Sequence, residues 1–184
     1  NSGPPLRKIG QQAQDTSELF FNDVHVPLEN RLGDENAAFE HVTQELAQER
    51  LAIALRAAAN MEGMIESTAA YVKQRKAFGR RIVDFQNARF KLSGAIAQSS
   101  MLRVFLDDCL AKHMRRELDP ITAAIAKLNA TEMQGRVLDE LLQMFGGYGY
   151  MAEYGIGRAW TDARALRILG GTSEIMLDII GKRI

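Results

Sequence analysis

From about residue 34 onwards, apolar residues return every three or four positions, which is the spacing of one face of an α-helix. Interruptions divide this pattern and predict helices over residues 34–76, 84–116, 120–145 and 152–163, and from 171 or 172 to the end. Three long helices and a shorter fourth partner, joined by tight turns, favour an antiparallel four-helix bundle. The predicted fold class is therefore mainly α, with a short N-terminal β segment.

Turn and capping residues mark where the helices begin and end. Asp34 or Asn36 is a candidate N-cap of the first helix, and Gly79 is its stop signal. Asp84 is the candidate N-cap of the second helix. In "ELDP", Asp119 is the predicted N-cap of the third helix, and the following proline takes the first helical position.

Residues 5–30 are predicted to form β-strand or loop. The stretch "TSELFFNDVHVP" alternates, with large apolar residues at Phe20, Phe21, Val24 and Val26. Two short strands are too few to fold alone, so we expect them to complete a sheet that lies mostly outside this chain. We therefore divide the chain into a β remnant, residues 1–33, and a helical bundle domain, residues 34–184.

Composition limits the kinds of partner. Lys and Arg together number 23, as do Asp and Glu, so bulk charge gives no argument for binding nucleic acid or an anionic membrane. No apolar run approaches the roughly 20 residues of a membrane span. The single cysteine, Cys109, excludes an internal disulfide and is expected to be a buried, inert thiol. The scattered histidines, His25, His41 and His113, form no ligand pair, so no metal site is expected.

The stretch "RILGGTSEIM" has the composition of a binding loop. Gly170 and Gly171 permit positive φ angles and a close backbone approach, and Thr172 or Ser173 can cap the following helix. With Gly171 as N-cap, Glu174 would stand at N3 and complete a capping box. Free N–H groups at such a helix start suit an anion. A plain helix start has the same spacing, so both interpretations stay open.

One stripe of the first helix combines apolar residues with an acid, and it consists of Val42, Leu46, Glu49, Ile53 and Ala57. We expect this stripe to face the interior, which would leave Glu49 as a carboxylate among aliphatic side chains. Desolvation favours the protonated form of such a group, which suits a general base that works near neutral pH. The other interpretation places Glu49 at the edge of the stripe, paired with an arginine, and Arg50 is open to both.

Two further segments combine turns with binding chemistry. "KQRKAFGRR", residues 73–81, packs five cations around one turn, which suits either a helix C-terminus or a phosphate clamp in which Arg75 offers a bidentate fork. "QMFGGYGYMAEY" ends a helix in a glycine turn ringed by aromatic residues. That turn is either a simple C-cap or a place where a ligand meets the backbone.

Four segments resemble, in order, the C-terminal part of an acyl-CoA dehydrogenase: "KIGQQAQDTSELFFNDVHVP", "YVKQRKAFGRRIVDFQ", "QMFGGYGYMAEYGIGRAWTDAR" and "GGTSEI". The resemblance covers essentially the whole chain and implies the end of a middle β domain followed by a C-terminal four-helix bundle. Members of this family bind FAD, remove the α-proton of an acyl-CoA thioester with a glutamate, and pass the β-hydride to flavin N5. The product is a trans-2-enoyl-CoA, and the electrons leave to an electron-transfer flavoprotein.

The resemblance also assigns the base. In most members it directly precedes the "GTS" loop, where this chain has Gly170. The long-chain and isovaleryl types carry it instead on the first helix of the bundle before an arginine, as Glu49 precedes Arg50. Glu49 is therefore the expected catalytic base, and Arg50, Gly170 and Gly171 are the expected substrate contacts.

The FAD contacts implied by the resemblance fall into two sets. Those directed at the FAD of a neighbouring subunit, or adjoining that contact, are Arg75, Phe78, Gln86, Gln143, Gly146 and Gly147, and those for the chain's own FAD are Thr172 and Glu174. Two positions depart from the family: Ala77, where some members have threonine, and Ala47, where many have an aspartate near the pantetheine. The second departure weakens the expected CoA contacts of the first helix.

The resemblance implies a homotetramer or homodimer assembled through the bundle, in a bacterial cytoplasm or a mitochondrial matrix. Two alternatives stay open. One is a family member that uses the fold for binding or for flavin chemistry other than dehydrogenation. The other concerns these 184 residues alone, which as a fragment would be stable but inactive and would bind FAD weakly or not at all.

Overall fold

A computed structural model describes the backbone of all 184 residues and every side chain except that of Gln44. Its five α-helices are α1 (Ala38–Gln74), α2 (Gln86–Met114), α3 (Pro120–Phe145), α4 (Gly155–Ala163) and α5 (Ser173–Gly181). A two-stranded antiparallel hairpin, β1 (Lys76–Ala77) and β2 (Arg80–Arg81), follows α1. Short 3₁₀ turns cover Leu28–Asn30, Ile82–Asp84, Gly146–Tyr150 and Arg164–Arg167. The predicted mainly α fold class is confirmed.

Helices α1 and α3 lie side by side and run in the same direction. The Gln134 side-chain amide donates to Asn60 Oδ1 at 2.8 Å, and the Tyr71 ring stacks on Phe145 with a centroid distance of 4.1 Å. The hairpin after α1 reverses the chain, so α2 runs antiparallel to both. Alanines let α1 and α3 approach closely, and those that are buried between the helices include Ala54, Ala57, Ala58, Ala123, Ala126 and Ala130.

The fourth helix of the bundle is broken. The chain from α4 to α5 returns along α3, as shown by a bond of 3.1 Å from Trp160 Nε1 to Asp139 and by an ion pair of 3.6 Å between Arg183 and Asp119. A 3₁₀ turn, Arg164–Arg167, and a glycine turn separate the two helices. Helices α4 and α5 together therefore occupy the fourth position of the predicted bundle.

The core lies between the long helices and continues under α5. Its fully buried members include Met61 and Val72 of α1, Leu106 and Cys109 of α2, Leu138 and Leu141 of α3, and Met176 of α5. The predicted burial of Cys109 is confirmed, and this burial raises the pKa of its thiol. Within the described residues, no helix combines the length and apolar character that crossing a membrane requires.

Two of the predicted N-caps are wrong. The N-cap position of α1 is Ala37, which forms no side-chain capping bond, so neither Asp34 nor Asn36 holds that position. Asp84 does not cap α2, because its carboxylate accepts two bonds from the Arg81 guanidinium, at 2.9 and 3.1 Å. A charge-assisted bidentate pair is stronger than a single capping bond, and α2 starts without a side-chain cap.

The turn that was predicted after the first helix is a tight hairpin. Helix α1 already ends at Gln74, and the turn between β1 and β2 places Phe78 and Gly79 at φ angles of 52° and 78°. Gly79 therefore serves the hairpin and not the end of the helix. A positive φ at a bulky residue such as Phe78 is unfavourable by roughly 1–2 kcal/mol.

The first 33 residues form little regular structure. The predicted strands reduce to one antiparallel bridge between Ser2 and Leu19, extended by a backbone bond of 2.8 Å from Leu6 to Thr16. Phe20 and Phe21 are exposed. Among the described residues no further strand pairs with these two segments, and a two-stranded ladder alone is marginal. The division of the chain at residue 33 stays a prediction.

The Asp119 cap is confirmed and supports a first test. Its carboxylate accepts from the N–H groups of Ile121 and Thr122, both at 3.0 Å, and Pro120 takes the first helical position. We expect Asp119→Ala to lower the free energy of unfolding by about 1 kcal/mol and Asp119→Asn to retain most of it, measured by urea denaturation. Equal stability of all three proteins near neutral pH would contradict this role.

The pH dependence of the same cap has a definite sign. Hydrogen bonds from the side chain and backbone of Thr122 hold the pKa of Asp119 below its usual value. The stabilisation by its charge is therefore complete above the unfolded pKa of about 3.9 and is lost as pH falls through the folded value. The stability difference between the wild type and Asp119→Asn should shrink on acidification.

Candidate active site

The turn that breaks the fourth helix, residues 168–172, requires both of its glycines. Gly170 and Gly171 have φ angles of 65° and 102°, so the predicted positive φ at both positions is confirmed. A Cβ at Gly170 would lie 2.6 Å from Cδ1 of Ile53, and one at Gly171 would lie 2.8 Å from Cε of Met176. The backbone of the turn is therefore in close contact with α1 and α5.

Two buried cations bind the carbonyl groups of this turn. Arg50 on α1 is 6% exposed, and its Nε donates to the Gly170 carbonyl at 3.3 Å. Lys127 on α3 is 0% exposed, and its ammonium donates to the Gly171 carbonyl at 2.6 Å. Burial lowers the pKa of both side chains. Since a broken helix leaves carbonyls without helical partners, the two cations replace the bonds that the break removes.

An acid on α3 holds the turn from both sides. The Glu132 carboxylate accepts from Arg167 Nε and Nη2, each at 2.8 Å, and from the Ser173 hydroxyl at 2.6 Å. Burial raises the pKa of Glu132, but the bonds from Ser173 and Arg167 outweigh this effect, and the pKa lies below its ordinary value. Glu132 therefore stays charged near the buried Lys127 and fixes the residues that flank the turn.

The N–H groups of the turn differ from its carbonyls in their hydrogen bonding. The Ile168 and Leu169 N–H groups donate to the Ala165 carbonyl at 2.9 and 3.0 Å. For the N–H groups of Gly170 and Gly171, no acceptor is found among the residues that the structure describes. The turn therefore has bound carbonyls and free donors.

The start of α5 settles which residue caps it. Thr172 is the N-cap, and its hydroxyl accepts from the Ile175 N–H at 3.4 Å. Gly171 is therefore not the N-cap, and the capping box that would have placed Glu174 at N3 does not form. Glu174 lies exposed in the first turn of α5, beside Thr172.

The predicted burial of Glu49 is wrong for this chain. Glu49 is exposed, and Val42 at the start of the same stripe is 63% exposed. Helix α1 has 37 residues and α3 has 26, so the first turns of α1 extend beyond its partner. Every described side chain between residues 38 and 49 is at least partly exposed, and the buried part of the helix begins at Arg50.

Glu49 nevertheless adjoins the residues of α1 that contact the glycine turn. Arg50 binds the turn directly, and Ile53, one helical turn after Glu49, is the side chain against Gly170. The charge of Glu49 raises the pKa of Arg50 and partly opposes the effect of burial. Among the described side chains Glu49 has no ion-pair partner, so the alternative of an ion pair at the edge of the stripe is not observed.

A second group of predicted site residues lines a cleft at the other end of α1. This cavity of about 730 Å³ lies among the end of α1, the hairpin, the start of α2 and the end of α3. The predicted residues on its wall are Arg75, Phe78, Gln143, Gly146 and Gly147. Gln86 is exposed and is not on the wall, although its neighbours Phe85 and Asn87 are.

The cleft combines an exposed aromatic ring, a cation and open backbone. Phe78 is 95% exposed, so its ring is free to stack on a flat group. The Arg75 guanidinium lies 4.9 Å from the centre of the Tyr148 ring, where it provides positive charge beside the opening. At Gly146 and Gly147 an added Cβ would meet no heavy atom within 4 Å, so the backbone there is open to a ligand.

The two groups of site residues are far apart. Glu49 and Gln74, which ends α1 just before Arg75, are separated by about 38 Å at the usual helical rise of about 1.5 Å per residue. A single dinucleotide is too short to contact the glycine turn and the cleft of one chain. The structure therefore brings together Arg50, Gly170 and Gly171, and separately the five residues of the cleft.

Residues 38–184 match the family model described as "Acyl-CoA dehydrogenase, C-terminal domain". The chain belongs to the acyl-CoA dehydrogenase family. It is 46% identical over 182 residues to the long-chain specific acyl-CoA dehydrogenase, mitochondrial, of Mus musculus, covering 99% of the chain and 42% of that protein. It is 31% identical over 178 residues to the caffeyl-CoA reductase-Etf complex subunit CarC of Acetobacterium woodii, covering 97% and 47%.

Among solved structures, an acyl-CoA dehydrogenase from Geobacillus kaustophilus superposes with a TM-score of 0.96 at 41% identity. The alignment covers 100% of the chain and 48% of that structure. The chain thus spans about half the length of the relatives that it matches. The bundle described above is the family's C-terminal domain.

Sequence reasoning missed the side chains that hold the glycine turn. Lys127, Glu132 and Arg167 were given no role, and Ser173 was considered only as a possible helix cap. The sequence did contain an indication that this lysine is unusual. It lies on a stripe of α3, with steps of four and three residues, that runs through Ala123, Lys127, Ala130 and Gln134. A lysine on such a stripe is either at its edge or buried with a partner, and here it is buried.

The need for glycine at position 170 gives a test of stability. We expect Gly170→Ala to lower the free energy of unfolding by roughly 1–2 kcal/mol, because alanine disfavours the positive φ and its Cβ meets Ile53. Gly63→Ala is the control, since Gly63 is exposed within α1 with open space around it and should gain roughly 0.5–1 kcal/mol. A Gly170→Ala protein as stable as the wild type would contradict the described turn.

Proposed function

We propose that the full-length protein is an FAD-dependent acyl-CoA dehydrogenase that converts an acyl-CoA thioester to a trans-2-enoyl-CoA. The observation that carries this proposal is the contact of the glycine turn of the fourth helix with Arg50 and Ile53, the residues of α1 that adjoin Glu49. Family membership supports the same activity, and the mouse relative is named as a long-chain specific acyl-CoA dehydrogenase.

Glu49 is the proposed base. It stands one turn before Ile53, the side chain that contacts Gly170, and an acyl-CoA lying across the turn would bring its α-carbon within reach of the carboxylate. The absence of a side chain at Gly170 leaves room for that approach. In the free chain the first turns of α1 are uncovered, and a bound thioester and flavin would remove water from Glu49.

The glycine turn is the proposed site of the thioester oxygen. Removal of the α-proton moves negative charge onto this oxygen, and a preorganised N–H donor stabilises that charge. The Gly170 N–H is such a donor, since it has no acceptor among the described residues. Arg50, bound to the carbonyl of the same residue, adds positive charge directly behind the turn.

FAD is the proposed cofactor, and when bound it accepts the β-hydride. Thr172 and Glu174 at the start of α5 would face the flavin of the same chain. Arg75, Phe78, Gln143, Gly146 and Gly147 of the cleft would bind the FAD of a second copy, because the two groups are about 38 Å apart along α1. Gln86 could join them only as a contact at the rim. The complete site therefore requires at least a homodimer, and we propose a homodimer or homotetramer.

Electron-transfer flavoprotein is the proposed electron acceptor. The name of the Acetobacterium relative places that protein in a complex with Etf. The mouse relative is mitochondrial and the Geobacillus relative is bacterial, so we propose a mitochondrial matrix or bacterial cytoplasmic location according to the source.

The activity is tested with Glu49→Gln in the full-length protein. We expect this variant to keep FAD and to bind acyl-CoA, but to reduce its flavin at least about 100-fold more slowly, because the proton acceptor is gone. The measurement is flavin bleaching in stopped flow, with acyl-CoAs of graded length and branching. Glu45→Gln is the matched control, since Glu45 is an equally exposed acid one turn earlier on α1.

Two outcomes of this experiment would count against the proposal. Bleaching of Glu49→Gln at the wild-type rate would remove Glu49 as the base. A yellow wild-type protein that no acyl-CoA bleaches would instead favour the second candidate, a flavoprotein of this fold without dehydrogenase activity. The exposure of Glu49 in the free chain is the observation that keeps this second candidate open.

The cofactor assignment is tested at Phe78. We expect Phe78→Ala to lower the FAD content of the purified full-length protein, because an exposed ring on the cleft is lost, and Phe78→Tyr to retain it, because the ring remains. Loss of one stacking contact should weaken FAD by roughly 1 kcal/mol, or about fivefold in Kd. Full flavin occupancy and unchanged affinity in Phe78→Ala would contradict the assignment.

A further inference from the structure

The most unusual side chain of the bundle is one that the proposed reaction has not yet used. Lys127 is a fully buried lysine on an alanine-rich face of α3, and its one hydrogen bond to a described residue goes to the Gly171 carbonyl at 2.6 Å. Burial of an ammonium group is costly, and a neutral donor would satisfy a carbonyl equally well. The charge at this position therefore calls for a reason beyond filling a hydrogen bond.

One reason lies in the geometry of the peptide group, which couples the direction of a carbonyl to that of the next N–H group. In a trans peptide the C=O and N–H bonds point in opposite directions. When cations hold the Gly170 and Gly171 carbonyls inside the bundle, the N–H groups of the next residues, Gly171 and Thr172, are directed away from it. The orientation of the turn is fixed on its inner side. The Gly170 N–H shares its peptide with the Leu169 carbonyl, which neither cation binds, so the cations act on this donor only through the fixed turn. The Gly170 and Gly171 N–H groups have no acceptor among the described residues.

The charge of the two cations has an effect beyond fixing the orientation of the turn. A cation on a carbonyl polarises the amide and strengthens the donor at its other end, since hydrogen bonds in a chain reinforce one another in a low-dielectric interior. Lys127 and Arg50 place two positive charges behind the turn. Glu132 balances part of this charge but lies against the flanking residues Arg167 and Ser173 and not against the turn itself. Glu174 acts on Lys127 and Glu49 on Arg50, but both of these carboxylates are exposed, whereas the two cations are buried behind the turn.

We propose that Lys127 is a positioning residue for the dehydrogenation. Its ammonium holds the Gly171 carbonyl inside the bundle, which directs the Thr172 N–H outwards and fixes the position of the turn. The Gly170 N–H of that fixed turn then stabilises the charge that develops on the thioester oxygen when the α-proton leaves. This inference rests on the proposed function. Lys127 itself touches neither substrate nor cofactor and acts through the backbone of the turn.

The test compares Lys127→Met with Lys127→Arg in the full-length holoenzyme. Methionine keeps most of the apolar volume and removes the charge, and arginine restores a charged donor. We expect Lys127→Met to lower kcat about 10- to 100-fold, a range up to that of losing one oxyanion donor, while KM changes less than about threefold. Lys127→Arg should recover most of kcat. Lys112→Met, at a half-buried lysine of α2 that pairs with Asp108, should behave as the wild type.

A spectroscopic measurement separates positioning from mere structural support. An acyl-CoA with sulfur in place of the β-carbon can lose its α-proton but has no β-hydride to give, so the deprotonated ligand accumulates beside the oxidised flavin. Its absorption, followed against pH, reports the acidity of the bound α-proton. We expect Lys127→Met to raise that pKa by about one unit, which corresponds to about 1.4 kcal/mol less stabilisation of the anion.

The outcomes are distinguishable from one another. If the wild type is reduced by acyl-CoA and Lys127→Met with full flavin is reduced equally fast, the inference is overturned and the proposed function stands. If no acyl-CoA reduces the wild type, both fall. Should Lys127→Met yield no holoenzyme, Lys127→Gln supplies a neutral donor to the same carbonyl. A Lys127→Gln enzyme with wild-type kcat and an unchanged α-proton pKa overturns the inference, and loss of both supports it.

Discussion

The structure depends on how the broken fourth helix is held inside the bundle. A break in a helix frees carbonyl groups, and buried carbonyls without partners are strongly unfavourable. Here the freed carbonyls of Gly170 and Gly171 are bound by Arg50 from α1 and Lys127 from α3. Without these two cations the break could not lie against the core, and the glycine turn would have no fixed position relative to Glu49.

The cations bring an electrostatic cost that the surrounding residues reduce. Two desolvated positive charges lie close together: burial lowers the pKa of Lys127, and the charge of Arg50 lowers it further. Glu132 offsets part of this repulsion, and its bonds to Arg167 and Ser173 also fix both ends of the turn. The local arrangement is thus unfavourable in charge but rigid in geometry, a combination that is common where a site must bind an anionic species.

The sequence was most informative where structure is decided locally. Asp119 followed by proline predicted the start of α3 correctly, because the cap and the fixed φ act within one helical turn. By its position in the sequence Asp84 looked equally suitable as an N-cap. Its carboxylate is bound by Arg81 instead, and the position of an aspartate alone does not show that an arginine competes for it. The glycine turn was predicted, whereas Lys127 was missed, because its role depends on a carbonyl that lies 44 residues away along the chain.

Glu49 shows what helical periodicity cannot decide. The stripe from Val42 to Ala57 was identified correctly as one face of α1, but a pattern of apolar residues does not say whether another element covers that face. Ala57 is fully buried, and Val42 is exposed on the part of α1 that extends beyond α3. Glu49 is also exposed, although the register of the two helices places it opposite the first turn of α3.

The length of α1 also fixes the relation between the two groups of site residues. Its 37 residues form a continuous helix that carries Glu49 near one end and leads directly into Arg75 at the other. A helix of this length does not shorten, so a single chain cannot bring its glycine turn and its cleft to one dinucleotide. Two copies that exchange ends can do so, because the cleft of one then lies beside the turn of the other. In the proposed dimer or tetramer, the length of this rigid helix would therefore make each site a product of two chains, and assembly would be a condition of the chemistry.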